Sequence, residues 1–124
     1  MTKVVFYKQN GNYYGFHEVG HAGYDEAGYD IVCSALSAMT MLIVNTVEVV
    51  WGADVKYAYD EDSGDITVTV KEALPEYAST DEKQYAISGL FEGYFYQLMD
   101  MIEDYGDYID VEVEEKPIKS VTKS

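Results

Sequence analysis

One cysteine, Cys33, and both histidines, His17 and His21, fall in a single stretch, GFHEVGHAGYDEAGYDIVCSALSAM, running from Gly15 to Met39. Two chemistries compete for them. His17-Glu18-Val19-Gly20-His21 spells HExxH, the pattern in which a helix sets two imidazoles on zinc with a glutamate over the bound water. The flanking residues argue against it: Tyr13, Tyr14, Gly15 and Phe16 lead in as a strand, and Gly20 interrupts the motif. Residues four apart in a strand are separated by roughly 13 Å, too far for one zinc ion. No third histidine is present in the chain. The expectation is therefore no metal and no cofactor, with His17 an exposed strand residue.

The second chemistry pairs Cys33 with His21. Asp30 suits the N-cap of a helix running from Ile31 to about Val50, which sets Cys33 in the first turn. Unpaired N–H groups and the positive end of the helix dipole favour thiolate over thiol there. A histidine nearby completes the activation, as base or as ion-pair partner. The loop before the helix holds Gly20, Gly23 and Gly28 together with Tyr24 and Tyr29, and folding it back brings His21 over the helix start. The backbone N–H groups of Cys33 and Ser34 are then candidate oxyanion donors. Asp30 orients the imidazole, caps the helix, or does both. Against this stands a plainer account, in which a lone cysteine beside Ile31, Val32 and Ala35 is a small packed hydrophobe and the tyrosines are packing.

These residues need a scaffold, and the chain spells one. Residues 2–8 read as a strand, Asn10-Gly11 as a hairpin turn and residues 12–19 as the returning strand. After the long helix, residues 54–59 and 65–71 form a second hairpin around Glu61-Asp62-Ser63-Gly64, with Ile66, Val68 and Val70 on one face and Thr67 and Thr69 on the other. Ser79 with Glu82 forms a capping box opening a second helix to about Tyr105. A last strand, 108–114, alternates Ile109, Val111 and Val113 with Asp110, Glu112 and Glu114. The order is ββαββαβ, an α+β fold in which a mostly antiparallel sheet is packed by two long helices. Residues 1–115 form one domain, and 116–124 a flexible tail.

Composition excludes several functions. The 124 residues carry 23 acidic side chains against 8 basic ones, all lysine, for a net charge of −15. So little cationic surface argues against direct nucleic-acid binding and suits a basic protein partner. One cysteine makes no intramolecular disulfide, and MTKVVFYKQN lacks the apolar core of a leader peptide. Residues 31–51 are apolar enough to raise a membrane question. Ser34, Ser37, Asn45 and Glu48 nevertheless fall within roughly 80° on a helical wheel, with Met41 among them. That pattern predicts a helix buried on most of its surface in a cytoplasmic protein with no membrane partner.

Gly20-His21-Ala22, a glycine-containing loop and Gly28-Tyr29-Asp30-Ile31-Val32-Cys33, followed by the small-residue run Ser34-Ala35-Leu36-Ser37-Ala38, resemble the signature of the ribosomal-processing cysteine protease (Prp) family. Members are short chains of similar element order. The resemblance implies a cysteine endopeptidase with Cys33 as nucleophile and His21 as general base. It implies a substrate, the N-terminal extension of large-subunit ribosomal protein twenty-seven, removed after paired aromatic residues during ribosome maturation. It further implies a homodimer, in Firmicutes and their relatives. The alternative is a non-catalytic ribosome-assembly or peptide-binding module of the same fold. The acidic second half matches no motif of the family.

Overall fold

The computed structural model describes residues 1–19 and 27–122, the side chains of 27–29 falling outside that description. Strands β1 (Thr2–Gln9) and β2 (Asn12–Val19) form the first hairpin. Asn10 (φ 51°) and Gly11 (φ 80°) both take positive φ, as the two-residue turn requires. Helix α1 (Ala27–Asn45) follows, and then β3 (Lys56–Tyr59), β4 (Ile66–Thr69), helix α2 (Asp81–Tyr105), β5 (Ile109–Glu115) and a short α3 (Ile118–Val121). The sheet order is β3-β4-β2-β1-β5. Three pairings are antiparallel and β1–β5 is parallel, giving the expected α+β arrangement with its ββαββαβ core order.

Register decides what lies on each face. Val4 pairs with Glu18, Phe6 with Phe16, and Phe16 with Val68, and all five are fully buried on the helix side. Phe6 and Phe16 make edge-on or tilted ring contacts with Tyr94, Phe95 and Phe91 of α2, each pair contributing roughly 0.5–1.5 kcal/mol beyond its buried area. The register shifts between Tyr7 and Lys8, which pair with Gly15 and Tyr13 and leave Tyr14 bulged between them. The bulge sends Tyr13 to Phe6 and Phe95 while Tyr14 stacks on Tyr7. Gly15 beside it has no room for a side chain, since a Cβ there would collide with the Val68 carbonyl and lie 2.8 Å from Thr69 Cγ2.

Four expectations need correction. Helix α1 starts at Ala27, so Asp30 lies inside its first turn and is not its N-cap. The helix ends earlier than Val50 as a regular element: Thr46–Val50 is a π turn, in which Trp51 N–H reaches the Thr46 carbonyl and the Thr46 hydroxyl bonds back to the Leu42 carbonyl. α2 is capped by Thr80, whose hydroxyl accepts from Lys83 N–H, because Ser79 is held instead by Glu72. The segment after Pro117 is docked as far as Thr122: Ile118 is buried and its N–H bonds the Gln9 side chain, while Tyr14 OH donates to the Lys116 carbonyl.

The long apolar helix also departs from expectation. Asp30–Val50 holds an 18-residue window long and apolar enough (mean hydropathy 1.6) to cross a membrane, yet only 33% of that window is buried. Val32, Leu36, Thr40, Ile43 and Val47 form the buried stripe. α2 packs over β2 and β5, α1 is left one line of contact, and Leu42 (61% exposed) and, in the π turn beyond α1, Val49 (78%) stay in the open.

Candidate active site

β2 ends at Val19 and α1 begins at Ala27, so among the described residues the candidates Asp30, Cys33 and Ser34 sit near the start of the helix that follows β2. Cys33 is the seventh residue of α1. It flanks the buried stripe, next to Val32 and one turn before Leu36, and is itself half-buried. A thiol at that border is anchored by its helix and open to a ligand, which is what a nucleophile needs. Ser34 and Asp30 face solvent.

The helix start changes two assigned roles. In a helix beginning at Ala27, the N–H groups of Cys33 and Ser34 fall within the i→i−4 ladder and are not the free first-turn donors proposed for an oxyanion. The dipole acts over the first turn, so Cys33 in the second turn gains less from it than expected. His21, Gly20, Gly23 and Tyr24 lie outside the described residues. Gly28 and Tyr29 belong to the first turn of α1 by backbone.

His17 stands apart from these residues. It lies in β2 on the sheet face away from α1, paired with Val5 and Thr67. Its Nδ1 is 2.6 Å from Thr67 Oγ1 and its Nε2 3.8 Å from Asp65. His17, Glu18 and Val19 are strand residues pointing alternately to opposite faces, so the HExxH letters lack the helix that gives them meaning. Among the described residues, no group of three His, Cys, Asp or Glu side chains converges to hold a metal.

Glu18 is the residue that sequence reasoning missed. Its side chain is fully buried on the helix face, where its Oε1 accepts from Tyr94 OH of α2 (2.5 Å) and Thr40 Oγ1 of α1 (3.4 Å). One carboxylate thus ties both helices to the end of β2. Burial, reinforced by the Glu18 charge, pushes the Tyr94 phenol well above its ordinary value, so it remains a donor. Burial raises Tyr7, Tyr13 and Tyr14 as well. A phenol held protonated in the fold stabilises fully below the unfolded value, about pH 10, and that stability is lost as pH rises further. Resistance to urea should accordingly fall between about pH 9 and pH 11. Tyr94→Phe should flatten that dependence, and an unchanged slope would contradict this assignment.

Comparison with known proteins agrees with the fold. The family profile described as cysteine protease Prp matches residues 1–110. SMU.848 from Streptococcus mutans is similar in structure, with a TM-score of 0.74 at 25% identity over 94% of this chain and 96% of that one. The ribosomal processing protease Prp from S. aureus, in complex with a substrate peptide, superposes with a TM-score of 0.74 at 20% identity over 92% of this chain and all (100%) of that one. Its complex with a covalently linked product peptide gives 0.71 at 22% identity over the same shares, 92% and 100%. No curated protein sequence matches the chain.

Proposed function

The chain belongs to the Prp cysteine protease family, and on that premise we propose that it is a cytoplasmic endopeptidase removing the N-terminal extension of large-subunit ribosomal protein twenty-seven. The observation that carries the proposal is Cys33 itself, the chain's one cysteine, half-buried in α1, the helix that follows β2 in the chain. In the proposed reaction His21 takes the thiol proton and Cys33 sulfur attacks the scissile carbonyl. The tetrahedral intermediate collapses as His21 returns the proton to the leaving amine, and water then releases the acyl group. The oxyanion is left for N–H groups outside the α1 ladder. Asp30, solvent-facing one turn before Cys33, is the proposed orienter of His21. Gly20, Gly23, Tyr24, Gly28 and Tyr29 are the proposed substrate segment. A basic ribosomal protein suits an enzyme of charge −15, since opposite charge speeds encounter.

Alkylation tests the pair directly. At about pH 6, iodoacetamide should modify Cys33 at least tenfold faster than a model thiol, and His21→Ala should remove the advantage. A thiol no faster than the model would favour the non-catalytic peptide-binding module, in which Cys33 is packing.

We assign the exposed apolar side of α1 and of the π turn that follows it to a homodimer contact. Leu42, Val49 and Val50 are each more than 60% exposed (61%, 78% and 70%), and a second copy of this chain would cover them. Sedimentation equilibrium should find a dimer for the native chain and a monomer for Leu42→Glu. A native monomer at micromolar concentration would remove the assignment.

A further inference from the structure

We propose that the cleft between β4 and α3 is a binding site for a compact organic oxyanion, a phosphate monoester or dicarboxylate carrying a planar or apolar body. Of the eight lysines, Lys56, Lys71 and Lys119 line this one cavity of about 500 Å³. Among the described residues a single carboxylate, Asp54, joins them in the lining, so the described lining is cationic in a chain of net charge −15. Gathering like charges raises the energy unless an anion compensates them, and nowhere is that less expected than on a protein so short of cations.

The lysines are placed for contact. Lys56 Nζ donates one bond to the Thr122 carbonyl (2.9 Å), fixing the end of α3 against the sheet edge and leaving two further N–H groups. Lys71 Nζ sits 5.9 Å from the centre of the Tyr77 ring, beside the apolar wall that Tyr77 and Ile118 provide. Thr69 lines the floor. Ammonium groups recognise oxyanions as point charges and accept phosphate and carboxylate alike, while the wall asks for an apolar body. The volume matches small-molecule sites, which run about 300–1,000 Å³.

The cleft is separate from the proposed catalytic cysteine. Thr69 pairs with Gly15 and has the strand parity of Thr67 and His17, on the face away from α1. An occupant there would not touch Cys33.

Amide shifts of the full-length ¹⁵N-labelled chain, titrated in low salt with phenyl phosphate, phthalate and inorganic phosphate, test the site. Saturable shifts centred on Thr69, Lys71, Tyr77 and Lys119 are expected with the organic anions. Their affinity should be about tenfold above that of inorganic phosphate and should weaken severalfold as salt rises to about 0.2 M. The stronger of phenyl phosphate and phthalate identifies which oxyanion the site takes. Lys71→Gln with Lys119→Gln, both at exposed positions, should lower affinity about tenfold or more without changing the fold. No saturable shift with any probe at about 20 mM, or shifts undiminished in the double variant, would overturn the site. Equal binding of inorganic phosphate would overturn the organic class.

Discussion

Cys33→Ala is expected to leave the fold intact and to lower cleavage of the extension-bearing ribosomal protein by roughly 10⁴-fold or more, the order seen when a nucleophile is removed. The expectation rests on position. Cys33 borders the buried stripe without belonging to it, so trimming it to alanine opens no sealed cavity beside Val32 and Leu36. The stability cost should stay below about 1 kcal/mol. Cys33→Ser should be nearly as inactive, because the hydroxyl is the weaker nucleophile and the helix dipole offers it little help in the second turn. Circular dichroism and urea unfolding of both variants separate lost chemistry from lost structure. Unfolding of Cys33→Ala at ambient temperature would mark Cys33 as packing.

Glu18→Ala should have the opposite signature, a large loss of stability. Its carboxylate is fully buried and accepts from Tyr94 and Thr40, so truncation leaves a void and strands donors inside an aromatic core. The expected cost is about 3–5 kcal/mol, a large fraction of the 5–15 kcal/mol typical of a whole domain. Glu18→Gln keeps the volume and an acceptor and should cost less, about 1–2 kcal/mol. A double-mutant cycle of Glu18→Gln with Tyr94→Phe should return a coupling of about 1–3 kcal/mol. A Glu18→Ala loss under about 1 kcal/mol would contradict the role drawn here. Since β2 ends one residue beyond Glu18, the same anchor fixes where the connection carrying His21 departs.

Local chemistry made most of the fold legible. Asn10-Gly11 fixed the first turn because both residues accept positive φ, and alternation in Ile66 to Val70 and Ile109 to Val113 marked the strand faces. What escaped depended on partners distant in sequence. Ser79 looked like a cap until Glu72, seven residues upstream, engaged it and left Thr80 to cap α2. The tail beyond Pro117 looked loose because its tether, the Gln9 side chain, lies 109 positions away. Asp30 resembles an N-cap by type, yet Ala27 to Tyr29 continue the helix before it, and that displaces the amides of Cys33 and Ser34 from the role assigned to them. Glu18 did carry a signal, an acid with the strand parity of Phe16, but the HExxH letters drew attention to its metal chemistry instead.

The most direct measurement of the central claim is the intact mass of ribosomal protein twenty-seven, bearing its extension, after incubation with the purified chain. The account predicts loss of the N-terminal segment at one bond following paired aromatic residues, with no change in mass when Cys33→Ala or His21→Ala replaces the native chain. A substrate left whole by the native chain, or cut equally well by Cys33→Ala, would contradict it.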